Sequence, residues 1–125
     1  DHGGYQKERE NLAAQLTVKW QATGARVLYV RDYYDVLPHQ YSEWLKQNGY
    51  RLDVGQHADI GDTALMLAVD PSMVREEALR HAPNPTMAQG IYGGDPRRAT
   101  STLGQPGLAM QVSAAVKAID DARGK

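Results

Sequence analysis

The sequence of 125 residues predicts an α/β fold made of a single domain, residues 1–125. Two observations support this prediction. A helix-favouring segment, 5–23, precedes a short β-branched and aromatic run, 27–30, which is the order of the second half of a strand–helix–strand unit. The length suits one domain, or one half of a larger α/β unit.

The charge and composition exclude several classes of partner. The chain has 14 Lys and Arg against 15 Asp and Glu, whereas nucleic acid and anionic membrane surfaces attract a basic excess. No apolar run approaches the ~20 residues of a membrane span. The absence of cysteine excludes disulfides, thiolate zinc sites and a cysteine nucleophile. The compartment stays open between cytoplasm and periplasm, because proteins of either can lack cysteine.

The first half of the chain predicts three helices and one strand. Leu12, Leu16 and Trp20 lie four residues apart, which predicts an amphipathic helix over 5–23, with Gly24 as its C-terminal cap. The run 27–30 predicts a buried strand. Further helices are predicted at 38–48, ended by Gly49, and at 59–69, with a loop or short strand at 52–56. The 64–69 run is apolar all round, which predicts a fully buried helix.

The second half is predicted to be mostly loop before one long helix. A short helix follows the Asp70-Pro71 break and reaches Leu79. Residues 82–107 hold four of the six prolines and many glycines, so a long loop is expected there. A final helix is predicted over 108–123. Its apolar residues recur at core spacing: Leu108, Val112, Ala115, Val116 and Ile119.

The first candidate site is the opening tetrapeptide Asp1-His2-Gly3-Gly4. Two glycines let the backbone turn sharply and let a metal ion or substrate approach closely. If a strand ends just before His2, this turn lies at the carboxyl end of a parallel strand, where α/β sheets bind ligands. The alternative is a tight strand-to-helix turn with an exposed histidine. Because such a turn needs a preceding strand, we expect the chain to be part of a longer protein.

The second candidate site is the segment 57–63, directly before the predicted apolar helix. It brings His57, Asp59 and Asp62 together within six residues. Imidazole nitrogen and carboxylate oxygen are the ligand types of catalytic zinc and manganese sites. The alternative is that Asp59 or Asp62 caps the helix, while His57 is a surface loop residue.

Two further features carry weaker signals. The segment 93–99 includes Arg97 and Arg98, which could bind an anion, although a structured turn is the interpretation we favour. Tyr33 and Tyr34 follow the predicted strand and could line a pocket, or could pack in the core.

The order of these motifs resembles that of the creatininase (creatinine amidohydrolase) family. A His-Gly-Gly turn at residue 2 opens the first helix, and His-Ala-x-x-x-Asp-Thr-Ala-Leu-Met-Leu-Ala begins at residue 57. Asp-Pro-x-x-Val-Arg begins at residue 70, and Gly-Asp-Pro-Arg-x-Ala at residue 94. The resemblance covers essentially the whole chain, but only the C-terminal half of a family member.

The resemblance implies a three-layer α/β/α sandwich, of which this chain is the C-terminal half. It also implies a two-metal site, with zinc or manganese, that hydrolyses cyclic or linear amides in a hexameric enzyme. By motif, His2 is similar to a metal-ligand histidine and His57 to the catalytic histidine, while Asp62 stands for an acid–base or metal-facing glutamate. The remaining expected pocket residues are Gly3, Gly4, Tyr34 and Asp59.

The sequence departs from the family pattern at several of these positions. Tyr5 stands where asparagine usually follows the glycines, and Asp59 falls on a glycine position. Asp62 is one methylene shorter than glutamate, about 1.5 Å less reach. The family's other metal ligands belong to the absent N-terminal half, so we expect this segment alone to be inactive. Two alternatives stay open: a non-catalytic α/β module for ligand binding or assembly, and a phosphate binder using 2–4 with the two arginines.

The expected partners follow from the same interpretation. A small-molecule amide is the expected substrate, and neither nucleic acid nor membrane is expected to bind. A strand at 27–30 without its neighbours and an all-apolar helix at 64–69 would expose surfaces that pair with another chain. We therefore expect a homo-oligomer, or association with the protein's own N-terminal half.

Overall fold

The computed structural model describes residues 3–124, and 70% of these residues are helical. Its α-helices are α1 (Gln6–Lys19), α2 (Arg31–Asp35), α3 (Ser42–Leu45), α4 (Ile60–Val69), α5 (Glu76–Arg80) and α6 (Ser101–Arg123). Within residues 3–124 there is no β-sheet, and the β-pairing consists of one isolated antiparallel bridge between His57 and Tyr92. The predicted three-layer α/β/α sandwich is therefore wrong for the described part of the chain.

The predicted strand at 27–30 is irregular in the structure. The Thr17 hydroxyl accepts a hydrogen bond from the Val27 N–H at 2.9 Å and donates one to the Val27 carbonyl at 3.2 Å. Among residues 3–124, no strand pairs with Leu28, Tyr29 or Val30. A strand depends on a neighbouring strand for its hydrogen bonds, and its β-forming composition cannot replace that neighbour.

Helix α1 confirms the first predicted helix, but its apolar stripe does not form a core. A 3₁₀ turn at Gly3–Tyr5 leads into it, and Gly24 adopts the left-handed conformation expected of a C-terminal cap, with φ of 74°. Leu12 and Trp20 remain 53% and 41% exposed, although both belong to the predicted stripe. The buried residues of α1 are instead Gln6, which accepts a hydrogen bond from the Tyr29 hydroxyl, and Ala13.

The core lies around α3 and the two wider π-helical turns that flank it, Leu37–Tyr41 and Lys46–Tyr50. These elements confirm the helix predicted over 38–48. Tyr41 and Leu45 are almost fully buried, and the Trp44 ring stacks on Tyr41 with ring centroids 6.3 Å apart. Gly49 ends the helical segment in the left-handed conformation, with φ of 91°, as predicted. Helix α2, by contrast, had no counterpart in the prediction.

Helix α6 begins seven residues before the predicted start, so the expected loop over 82–107 is too long. The Thr100 side chain caps α6 by accepting from the Leu103 N–H at 3.2 Å. Two of the glycines that suggested a loop, Gly104 and Gly107, are contact points between α6 and other helical segments. A Cβ atom on Gly104 would lie 2.1 Å from the Ala64 carbonyl oxygen of α4. Only glycine allows this close approach, so glycine content misled the prediction.

Two predicted apolar faces are only partly buried. Helix α4 buries Ile60, Ala64 and Leu67, but Val69 is 64% exposed, so the helix is not enclosed on all sides. The predicted core spacing of α6 is also wrong for three residues that lie exposed: Val112, Val116 and Ile119. None of the helices described, α6 included, is both long and apolar enough to cross a membrane.

Candidate active site

Two loops meet through their backbones and form the floor of the candidate site. The Gln56 N–H donates to the Tyr92 carbonyl at 2.8 Å, and the Tyr92 N–H donates to the His57 carbonyl at 3.0 Å. Side chains are excluded where the loops touch, because a Cβ atom on Gly55 would lie 2.1 Å from the Gly93 carbonyl oxygen. The close approach therefore fixes the position of the segment that carries His57.

Asp59 caps helix α4, and Asp62 binds the backbone just before this cap. Asp59 Oδ1 accepts from the Asp62 N–H at 3.0 Å, and Asp59 Oδ2 accepts from the Gly55 N–H at 2.7 Å. Asp62 Oδ2 accepts from the Ala58 N–H at 2.9 Å. Carboxylates at this position satisfy free N–H groups and interact favourably with the helix dipole. The capping role that the sequence left open is therefore present for Asp59, whereas Asp62 binds the N–H of the residue that precedes the cap.

Ala58 has a left-handed backbone conformation, with φ of 52°. Among the described residues it is the one non-glycine residue with positive φ. This conformation costs a residue with a Cβ roughly 1 kcal/mol or more, and the surrounding hydrogen bonds must hold it in place. The strained residue separates His57 from Asp59, so the backbone turns sharply between the two candidate groups.

The electrostatic surroundings alter the acidity of Asp62. Neighbouring protein atoms remove water from the Asp62 carboxyl group, and this desolvation raises its pKa. The negative charge of Asp59 raises the pKa further. The Ala58 N–H and the nearby His57 oppose this increase in the pKa. Although Asp62 is solvent-exposed, its carboxyl group therefore retains a proton to higher pH than an ordinary aspartic acid does.

A large cleft brings several of the predicted site residues together. Its volume is about 1200 Å³, and its lining includes Gly3, Tyr34, His57, Asp59 and Asp62. The Tyr34 hydroxyl lies so near Gly3 that a Cβ atom there would approach it to 2.8 Å, so a glycine fits this wall best. Gly4 is exposed and does not line the cleft. His2, the expected metal ligand, lies outside the described residues.

The described residues do not themselves fit a metal centre. Residues 3–124 bring together no group of three His, Asp or Glu side chains that could hold an ion. Catalytic sites for zinc use three protein ligands, and Asp62 has one carboxylate oxygen already bonded to the Ala58 N–H. The predicted ligand pair joins Asp62 to His2, which lies outside the described residues.

The loop over 93–99 is stabilised internally by its two arginines. Arg97 binds Asp95 through several hydrogen bonds, including one of 3.0 Å from Nε to Oδ2, and Arg98 Nη1 lies 2.8 Å from Asp53 Oδ2. The Arg98 guanidinium also stacks on the Tyr50 ring, 4.5 Å from its centroid. With both guanidinium groups paired to carboxylates, the structured turn is the better interpretation, and the phosphate-binding alternative loses its main donors.

Sequence reasoning missed three residues at or beside the site. Tyr92 pairs with His57, the buried Asp53 pairs with Arg98, and Gln111 of α6 lines the cleft while donating to the Tyr33 carbonyl at 3.2 Å. For Gln111 the sequence offered one signal, a polar side chain on an otherwise apolar face of the predicted helix. The other two contacts join distant segments and follow from the tertiary structure alone.

A cleft with an imidazole and two carboxylates at its wall is typical of hydrolytic enzymes that use acid–base chemistry. Residues 1–119 match the family model for creatininase, described as creatinine amidohydrolase, so the chain belongs to the creatininase family. The family assignment made from the ordered motifs is thereby confirmed. Its members are amidohydrolases that typically depend on a metal ion. Comparison with curated proteins gave no match, and comparison with solved structures gave none either.

Proposed function

We propose that the chain forms the acid–base side of a site that hydrolyses cyclic or linear amides, with His57 and Asp62 as the proton-transferring groups. One observation carries the proposal. Gly3 and Tyr34 come from one part of the sequence, His57 and Asp62 from another, and all of them line one cleft. The family match supports the reaction class.

The chemistry of amide hydrolysis defines the role of each group. A C–O bond forms to a water oxygen, the C–N bond breaks, and a proton passes from the water to the leaving nitrogen. His57 is the group that carries this proton in the proposal. Asp62 supports the transfer because its raised pKa lets its carboxyl group hold a proton to higher pH than an ordinary aspartic acid does. Tyr34, Gly3 and Asp59 shape the space for the substrate.

The proposed enzyme takes zinc or manganese, since imidazole and carboxylate groups suit both ions. Asp62 and His2 are the proposed ligands from this chain, and further ligands come from outside residues 3–124. When bound, such an ion polarises the amide carbonyl. Because the described residues do not complete a metal centre, the proton transfer in this proposal is assigned to His57 and Asp62 themselves and does not depend on the ion.

The proposed partners are a small-molecule amide and a further protein chain, with no role for nucleic acid or membrane. The exposed apolar residues of α6, Val112 and Val116, support contact with another copy or with an N-terminal half. Val112, Val116 and Ile119 recur at a spacing of four and then three residues, which places them along one helix face.

Hydrolysis of a small panel of amides tests the proposal. The panel contains a lactam, a hydantoin and formamide, each incubated in zinc, in manganese and in neither with the assembly in which a partner contributes the further ligands. We expect turnover of at least one amide above the rate with metal alone, and a loss of about 100-fold or more in Asp62→Asn, as general acid–base catalysis typically contributes. No turnover of any amide under any condition would exclude the proposal for this chain.

A second candidate function is ligand binding or assembly without catalysis. Asp59 caps α4 and Asp62 holds the Ala58 N–H before it, which is a sufficient structural reason for both residues. This candidate expects an amide of the panel to bind, measured by calorimetry, without being consumed. Binding with turnover would contradict it.

A further inference from the structure

We propose that Tyr92 is a positioning residue that holds the His57 imidazole in one orientation at the cleft. The backbone bridge between the two residues and the contact between their rings carry this inference. Its catalytic meaning rests on the proposed function, but the positioning itself is a property of the two side chains and can be measured alone.

The backbone places the two side chains opposite each other. His57 and Tyr92 form an antiparallel bridge, and residues paired in this way project their side chains to the same side. Gly93 and Gly94 follow Tyr92 directly, each in the left-handed conformation with φ of 73°, so the chain turns away immediately. Ala58 makes a comparable turn after His57. The bridge is therefore short and isolated, and it places the two rings on the same side of the backbone.

The rings themselves meet edge to face. Their centroids lie 5.9 Å apart and their planes are inclined by 87°. This T-shaped arrangement is favourable for aromatic pairs, because the positive edge of one ring faces the negative face of the other. Both rotatable bonds of the His57 side chain must be set for the arrangement to form. The contact therefore selects one imidazole orientation.

The exposure of both residues argues that the contact serves orientation more than core packing. His57 is exposed and Tyr92 is 43% exposed, so neither residue belongs to the buried core around Tyr41 and Leu45. The bridge hydrogen bonds are made by backbone atoms and do not need the Tyr92 ring. Removal of the Tyr92 ring should leave the backbone bridge intact, while the His57 imidazole adopts more than one orientation.

The tyrosine hydroxyl has no part in the inferred contact. No hydrogen bond joins the Tyr92 hydroxyl to His57 in the structure, and the rings alone define the geometry. Tyr92→Phe should therefore keep the orientation, whereas Tyr92→Leu should lose it. Tyr33→Leu is the matched control, because Tyr33 has the same 43% exposure, lines the same cleft and does not stack on His57.

Three-bond NMR couplings about the Cα–Cβ bond of His57 test the proposal directly in the full chain. We expect values for a single rotamer in the wild type, Tyr92→Phe and Tyr33→Leu, and averaged values in Tyr92→Leu. Averaged couplings in the wild type, or a single rotamer in Tyr92→Leu, would overturn the proposal. If Tyr92→Leu does not fold, the wild-type couplings and a nuclear Overhauser effect between the two rings decide the question.

Kinetics separate this proposal from the proposed function. If the chain hydrolyses an amide, Tyr92→Leu should lower kcat roughly tenfold with little change in KM, since a mispositioned proton carrier affects the reaction step more than substrate binding. Tyr92→Phe should retain kcat. An unchanged kcat in Tyr92→Leu would overturn the catalytic part. The expected rotamers in a chain without turnover would support positioning and reject the proposed function.

Discussion

At the scale of single residues, Asp62 joins structure and proposed chemistry. Its carboxylate accepts the Ala58 N–H at the start of α4, yet its side chain also lines the cleft beside His57. The sequence predicted both possibilities for Asp62 from the same six-residue segment, and the two are compatible. The hydrogen bond from the Ala58 N–H fixes the carboxylate in place. The loss of hydration raises its pKa, which suits the proposed proton transfer.

Replacing Asp62 by asparagine should stabilise the folded protein at neutral pH. The pKa is raised above 3.8 in the folded state, so ionisation opposes folding at pH values above the folded pKa and has no effect well below 3.8. Asparagine can still accept the Ala58 N–H. We expect a gain below about 1 kcal/mol, since water screens this exposed group, and we expect the gain to vanish towards pH 3.

Urea unfolding of wild type and Asp62→Asn at pH 7 and pH 3 measures this effect. Asp121→Asn is the control, because Asp121 is exposed on α6 and its side chain pairs with Lys117. A variant that is less stable than the wild type at pH 7, or a difference that does not change with pH, would show that the environment of Asp62 does not disfavour its charge.

At the scale of elements, periodic patterns were predictable and contacts between elements were not. Residues 5–23, 38–48 and 59–69 contain helices as their local patterns predict, although the apolar stripe of the first segment is not buried. The prediction of a strand at 27–30 was wrong because a strand needs a neighbouring strand, and residues 3–124 supply none. The predicted start of α6 was wrong because glycine disfavours helices, so Gly104 was interpreted as a loop residue.

The same reasoning applies to the candidate site. His57, Asp59 and Asp62 were predictable because they are neighbours in the sequence, within one segment before an apolar helix. Tyr92 was not, because its pairing with His57 depends on two loops whose glycines allow backbone contact. Local sequence can identify candidate groups, whereas the contacts that orient them depend on the folded chain.

Gly104→Ala should destabilise the fold although alanine is the better helix former. Its Cβ would lie 2.1 Å from the Ala64 carbonyl oxygen, and 2.7 Å from the Ala68 Cβ, so α4 and α6 would have to separate. We expect a loss of about 1–3 kcal/mol in the free energy of unfolding, typical of an overpacked contact. Chemical denaturation measures it, with Ser113→Ala on the exposed part of α6 as control. A stability gain in Gly104→Ala would contradict the packing described.

At the scale of the whole molecule, the chain has a small core and much exposed apolar surface. The fully buried large side chains are Tyr41, Leu45 and Ile60. Around them, exposed apolar residues extend over α1, the irregular segment 25–30 and the outer face of α6. Exposed apolar surface of this extent is typical of a chain that contacts another chain.

We predict that the purified chain associates through α6. Light scattering after size exclusion should give a mass that is a multiple of 13.8 kDa, and the double substitution Val112→Glu with Val116→Glu should shift it towards 13.8 kDa. Buried glutamates would lose hydration in such an interface, so their introduction should weaken it. Ser113→Glu is the control on the same helix. A wild-type chain that is uniformly 13.8 kDa would contradict the prediction.

The rate of amide hydrolysis by His57→Ala, compared with that of His81→Ala, tests the central claim most directly. His81 is exposed, as His57 is. It pairs with Glu77 and does not line the cleft. On the amide that the wild type turns over best, with zinc or manganese present, we predict a kcat/KM lower by about 100-fold or more for His57→Ala and unchanged for His81→Ala. Equal rates in the two variants, or no hydrolysis by the wild type, would contradict the assignment of this cleft as a hydrolytic site.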